Sequence, residues 1–160
     1  MLGLRRKSVK EVYFEAILSI ERLHRLFLDV VKMELDRLQI QDITNIQCFI
    51  LYNIGENTLT VGEVSNRGYY LGSNVTYNLK KMIENAYVLQ QPSPHDKRST
   101  NIKLSPKGLK LFRSFDNILL NHAKNIKHNG IEEPDIRTLK SLLQKLESFW
   151  NFTLTHDVRF

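Results

Sequence analysis

In this 160-residue chain one stretch is spaced for hydrogen bonding to an anionic surface, and little is spaced for catalysis. Between Gly72 and Glu84, the residues Val75, Leu79, Met82 and Ile83 recur at helical spacing and would share a buried face. The opposite face of the same wheel carries Ser73, Asn74, Tyr77, Lys80 and Lys81, all hydrogen-bond donors, with Thr76 at its flank. On an exposed helix, Asn can pair with an adenine edge and Lys with guanine in a DNA major groove. A turn-rich basic tip follows, Pro92-Ser93-Pro94-His95-Asp96-Lys97-Arg98. An arginine there suits a narrow minor groove, and Lys80 and Lys97 read as phosphate contacts. Asp96 starts the turn. The five histidines have no i, i+4 pairing and no accompanying cysteines, so no metal site is expected. The chain has no Gly-rich phosphate loop and no nucleophile elbow, which argues against an enzyme.

Charge supports the same stretch. Residues 67–110 hold eight of the 23 Lys/Arg and two of the 17 Asp/Glu, leaving 15 of each sign elsewhere. The whole excess of +6 therefore lies in this segment, where a nucleic acid is the natural partner and a solvated basic face the plain alternative. A single cysteine, Cys48, excludes an intramolecular disulfide framework and fits a reducing compartment. Met1–Lys10 is basic without the apolar core of a signal peptide, and no apolar run approaches the ~18 residues of a membrane span. The cytoplasm is the expected compartment, with no cofactor.

The elements that must position these residues can be read by period. Val9–Leu38 is a long helix with a wide apolar face, which needs more than one neighbour to cover it. Gln39–Asp42 is a polar break, and Thr44 caps a second helix that ends at Gly55. Asn57–Leu59 reads as a short strand, and Thr60-Val61-Gly62-Glu63 as a capping box opening a brief third helix. Gly68 and Gly72 bracket the turn into the donor-rich helix, making a helix-turn-helix. Tyr87–Leu89 and Ser99–Leu104 are the strands of a hairpin, and Ser105-Pro106 starts a fifth helix as N-cap and first helical residue. In a sixth helix, opened by Pro134, Ile136, Leu139, Leu143, Leu146 and Trp150 step by 3 and 4, a stripe that invites a partner helix or its own first helix.

The order of elements resembles the MarR family (multiple antibiotic resistance regulators) from about Tyr13 to Trp150. Asp96-Lys97-Arg98-Ser99 followed by Ile102-Lys103-Leu104-Ser105-Pro106-Lys107-Gly108 is similar to the family's D-x-R-S and V-x-L-T-x-x-G wing signature, with Ser105 for Thr. Ile43–Leu51, Leu59–Val64 and Ser73–Thr76 resemble the start of its second helix and the two halves of its helix-turn-helix. Two departures stand out. Glu84-Asn85-Ala86 replaces a common Gly at the end of the recognition helix, where Asn85 is expected to take the left-handed conformation, and Gln90 and Gln91 stand where a basic residue is frequent.

The resemblance implies a mainly α fold with a small β-hairpin wing, a single domain over 1–160. Residues 44–104 would form the winged helix-turn-helix, 106–124 a connecting helix, and 9–38 with 131–152 the dimerisation helices. It implies a homodimeric regulator of transcription, repressor or activator, on a pseudo-palindromic double-stranded operator, in which Asp96 pins a wing arginine. It also implies control by a small, often phenolic effector in a cleft where the first, second and fifth helices converge. Ile17, Thr44 and Phe112 fall there, each also readable as plain core or cap. Peroxide-sensing relatives carry their cysteine near the start of the first helix, unlike Cys48, which reads as a buried structural thiol. A protein–protein adaptor built on the same winged fold is the alternative.

Overall fold

The computed structural model describes residues 7–68, 72–92 and 100–156, the side chains of 72 and 73 excepted. Six helices and three strands follow one another: α1 (Val9–Arg37), α2 (Asn45–Ile54), β1 (Leu59–Thr60), α3 (Val61–Gly68), α4 (Gly72–Glu84), β2 (Val88–Pro92), β3 (Thr100–Leu104), α5 (Pro106–Asn125) and α6 (Glu133–His156). This is the expected mainly helical architecture with a small antiparallel sheet. Two compact units divide it, Met1–Arg113 and Ser114–Phe160.

Helix starts follow the local chemistry. Ser8 with Glu11, Thr44 with Gln47 and Thr60 with Glu63 form capping boxes, each side chain satisfying an amide that the first helical turn leaves orphaned. Ser105 caps α5 through the Gly108 amide, with Pro106 in the first helical position. The sheet runs β1-β3-β2, with Val88 opposite Leu104 and Pro92 opposite Thr100. Along β3, Ile102 and Leu104 are buried while Asn101 and Lys103 are half-buried, as the alternation predicts. The first strand starts two residues later and ends one later than expected, at Leu59–Thr60, where its pairing partners are Ile102 and Asn101.

The core of the first unit gathers around α2. Cys48, Ile50, Leu51 and Ile54 are fully buried, as are Val64, Val75 and Met82. The second half of α1 joins this core through Val31 and Leu35 and through an edge-to-face contact between Phe27 and Phe49, ring centroids 5.7 Å apart. Burial pushes the Cys48 thiol up to about 12, so it stays a neutral, packed group. In the second unit α5 passes through a 3-10 turn to Gly130, in the left-handed conformation, and then into α6.

The end of α4 departs from expectation. Ala86, not Asn85, takes the left-handed conformation, with φ 61°. The Ala86 amide donates to the Ile83 carbonyl and the Tyr87 amide to the Met82 carbonyl, the paired bonds of a Schellman motif whose left-handed position is the residue after the cap. Asn85 is the cap, and its side chain is used elsewhere: Nδ2 donates to the Asp42 carbonyl at 2.5 Å. Gln39 ends α1 in the same way, at φ 56°, with Gln39 bonded to Asp36 and Ile40 to Leu35.

A polar junction closes the lobe beneath this turn. Tyr87 is buried, its hydroxyl donating to Asp42 Oδ1 at 2.6 Å, and the Lys107 ammonium lies 4.1 Å over its ring. Lys107 also donates to Asp42 Oδ2 at 2.5 Å and to the Asn85 carbonyl at 2.9 Å. Ser105 donates its hydroxyl to the Ala86 carbonyl and its amide to that of Tyr87. Gly108 is packed so closely on the Tyr87 carbonyl that a Cβ would overlap the oxygen. Burial raises the Asp42 carboxyl, but the Lys107 and Tyr87 hydrogen bonds outweigh it and hold the group below its ordinary value.

Two outcomes follow from this geometry. Ala86→Gly should relieve left-handed strain and stabilise the fold by about 1 kcal/mol, raising the thermal midpoint by about 3 °C. A midpoint that stays put would show the strain to be absorbed by the surrounding turn. Because the folded pKa of Asp42 is depressed, its contribution is present above the ordinary value of 3.8 and lost as pH falls through the folded one. Asp42→Asn should therefore flatten the acid limb of a stability–pH curve, and an unaltered limb would mean the junction does not titrate with folding.

Candidate nucleic-acid interface

Helix α4 presents the face that its sequence pattern requires. Val75, Leu79 and Met82 are buried, whereas Ile83 is half-buried at a groove shared with Val61, Thr76, Lys80, Gln90, Thr100 and Ile102. On the other side Asn74, Thr76, Tyr77 and Lys80 are exposed, Tyr77 at 63% of its surface. So large an exposed aromatic ring, with a hydroxyl donor at its tip, suits a partner surface that offers both apolar contact and an acceptor. Lys81 is half-buried and donates to Glu84 at 2.8 Å, so its charge is locally compensated while Lys80 stands in solvent. The Glu84 hydrogen bond raises the Lys81 pKa, and Lys81 in turn lowers that of Glu84. Asn78 is tied to the Asn74 carbonyl at 2.8 Å, so it supports the helix rather than its outer face. Ser73 lies in the first turn of α4, its side chain outside the described residues.

The wing is anchored by its strands. β2 and β3 pair from Val88–Leu104 to Pro92–Thr100, and residues 93–99 connect them. Asp96, Lys97 and Arg98 belong to that connection and lie outside the described residues. Gln90 and Gln91 are exposed on β2. Arg67, at the end of α3, is exposed and donates to the Asn53 carbonyl at 3.3 Å.

The three residues expected at an effector cleft fall at the start of α2 (Thr44), in α1 (Ile17) and in α5 (Phe112). Thr44 is the exposed N-cap of α2 and lines a cleft of about 630 Å³ with His24 and Leu28 of α1, Ile46 and Phe49 of α2, and Asn74 and Tyr77 of α4. Ile17 is half-buried eleven residues before Leu28, about 16 Å along α1 at the helical rise. Phe112 packs on Tyr52, rings 5.4 Å apart, at the far end of α2 beside Gly55. Thr44 thus meets the donor face of α4. That proximity was invisible in the sequence, because it depends on how α1, α2 and α4 cross. The junction of Asp42, Asn85, Tyr87 and Lys107 was also missed, although Ser105-Pro106-Lys107-Gly108 marked one of its sides.

The remaining candidates lie on apolar helix faces. In α1, Val9, Val12, Tyr13, Phe14, Leu18, Leu23 and Leu26 are exposed, and only Val31, Glu34 and Leu35 are buried. No residue of α6 is buried: Ile136, Leu139, Leu143 and Trp150 are 37–49% exposed and Leu146 is half-buried. Among the described residues no three His, Cys, Asp or Glu side chains gather as a metal ion would need, and no helix is long and apolar enough to cross a membrane.

Known proteins share this arrangement. A sequence profile described as the MarR family matches residues 41–99. The chain is 35% identical over 138 residues to the exopolysaccharide II synthesis transcriptional activator ExpG of Rhizobium meliloti, covering 86% of this chain and 71% of that protein. Its fold matches FabT of Streptococcus pneumoniae, solved in complex with DNA, with a TM-score of 0.70 and 20% identity over 87% of this chain and 97% of that one. It likewise matches a mutant MarR from E. coli complexed with operator DNA, with a TM-score of 0.70 and 19% identity over 88% and 99% of the two chains. The chain belongs to the MarR family of transcriptional regulators.

Proposed function

We propose that this regulator is a homodimer that reads a pseudo-palindromic operator with α4 in the major groove and the wing along the neighbouring minor groove. The observation that carries the reading is the coincidence of two independent features. The exposed donors Asn74, Thr76, Tyr77 and Lys80 lie inside the segment that holds the whole charge excess of the chain. Ser73 and Lys81 complete the recognition set, Lys81 after exchanging Glu84 for a phosphate or a guanine. In the wing, Arg98 enters the minor groove, Lys97 meets the backbone and Asp96 holds an arginine in place. FabT and MarR, whose folds match this one, were solved on DNA.

Dimerisation is assigned to the apolar faces of α1 and α6. In α6 no side chain is buried and Ile136, Leu139 and Leu143 keep 39–49% of their surface exposed, apolar area that a second copy would cover. Closed two-fold pairing would place two lobes about one helical turn apart. Small-molecule control rests on the family resemblance and on the cleft that joins Thr44 to Tyr77, where a bound ligand and DNA would make unequal demands on α4.

Selection from genomic fragments at two salt concentrations should recover a palindrome, with affinity falling log-linearly in salt. Retention of random duplex, or of none, would turn the reading toward an adaptor. On the recovered operator, Arg98→Ala should weaken binding by about tenfold with the dimer intact, and unchanged affinity would remove the wing from the mechanism. Replacing Leu143 and Trp150 with polar residues should shift sedimentation toward the monomer. A persistent dimer would place those side chains elsewhere.

A further inference from the structure

The junction under α4 has a feature that stability alone does not account for. It is a closed ring: the Asp42 carboxylate accepts from Tyr87 and Lys107, its main-chain carbonyl accepts from Asn85 and would do so in an alanine variant too, Lys107 donates to the Asn85 carbonyl, and Lys107 lies on the Tyr87 ring. Its four members come from three junctions. Asp42 belongs to the α1–α2 connection, Asn85 and Tyr87 to the turn that ends α4, and Lys107 to the first turn of α5. The side chains of Asp42 and Lys107 are 49% and 45% exposed, and ion pairs at that exposure contribute little to folding. The lobe is held instead by its apolar core, in which Val75, Leu79 and Met82 of α4 are buried.

What such a ring does control is angle. The core side chains of α4 form one stripe, which resists separation better than it resists pivoting about the helix end. Three hydrogen bonds that converge on Asp42 from the end of α4 and the start of α5 oppose that pivot. From Gly72 to Glu84 the helix is about 18 Å long, so a 5° pivot at its C-terminal end moves its first turn by about 1.5 Å. Base-edge hydrogen bonds do not survive such a displacement, whereas contacts to phosphates from flexible lysines do.

We propose that Asp42 is a positioning residue for DNA reading, fixing through Asn85, Tyr87 and Lys107 the attitude at which α4 presents Asn74 and Tyr77. This rests on the reading of α4 as the DNA face. Asp42 itself need not touch DNA, and it acts on sequence discrimination rather than on charge attraction. A purely electrostatic role predicts the reverse sign, because removing an acidic group should strengthen attraction to an anionic duplex.

The test compares the full-length protein with its Asp42→Ala and Tyr87→Phe variants, below their melting temperatures, on the selected operator and on random duplex. Tyr87→Phe keeps the buried ring and deletes only the hydroxyl. For Asp42→Ala, operator affinity should fall about tenfold, the scale of one lost base contact, while affinity for random duplex stays level or rises. Tyr87→Phe should move the same ratio by about threefold. Unchanged operator affinity, or a parallel loss on both duplexes, would overturn the proposal. Amide exchange of the free protein gives a readout without DNA: residues 80–87 should exchange about tenfold faster in Asp42→Ala while residues 31–35 of α1 keep their rates. Unchanged exchange at 80–87 overturns the role of Asp42 even where operator binding falls. Should the wild-type chain select no operator, the proposed DNA reading fails, and faster exchange at 80–87 would still assign Asp42 the attitude of α4.

Discussion

The winged lobe depends on one close approach, the contact of the Gly108 backbone with the Tyr87 carbonyl. At that point a helix ends, a strand begins and another helix starts, and all three leave backbone groups that need partners. Ser105 satisfies several at once, bonding the Ala86 carbonyl, the Tyr87 carbonyl and the Gly108 amide. A side chain at position 108 would force α5 away from the turn and separate those partners. The paired bonds of the Schellman motif then set where α4 stops, and β2 starts at the next residue but one after Ala86. The Leu104-Ser105-Pro106-Lys107-Gly108 signature is thus a structural device that fixes where α4 ends, and in the proposed complex it would aim the DNA face without belonging to it.

Polar and apolar interactions divide the work in the first unit. Its rigidity comes from the fully buried residues of α2, α3 and α4, whereas the charged pairs at the rim, such as Lys81 with Glu84, lie in solvent and weigh little energetically. Rim groups matter through direction and through supply of charge. Lys80 offers its ammonium freely, while Lys81 must first leave Glu84. In the proposed complex that exchange would free the Lys81 ammonium for the DNA without changing the net charge of the helix. Meanwhile α1 and α6 carry their apolar stripes outward, a distribution that a second copy of the chain would complete.

The cleft between α1, α2 and α4 gives the proposed control a physical basis. Thr44, which caps α2, and Tyr77, which faces outward from α4, line the same space. A ligand seated there and a base pair in the groove would both act on Tyr77, so their binding free energies would be coupled by contact as well as by lobe spacing. Phe112 packs instead on Tyr52, and Ile17 lies eleven residues before Leu28 along α1.

Sequence by itself determined what depends on neighbours within a few residues. The capping boxes at Thr44 and Thr60, the Ser105-Pro106 helix start, the alternation along β3 and the two faces of α4 all follow from spacing of 2, 3 or 4 residues. The exposed donors of α4 were legible for the same reason. Tertiary structure decided what depends on residues brought together from far apart. Asn85 was expected to turn the chain, but Asp42, 43 residues earlier, captures its side chain, and the left-handed conformation falls on Ala86. Thr44 came to line one cleft with Tyr77 because helix crossing fixes such meetings and periodicity carries no record of it. Lys81 shows the boundary between the two: its position on the wheel was readable, and its hydrogen bond to Glu84 at the solvent-facing rim appeared only once the helix was folded.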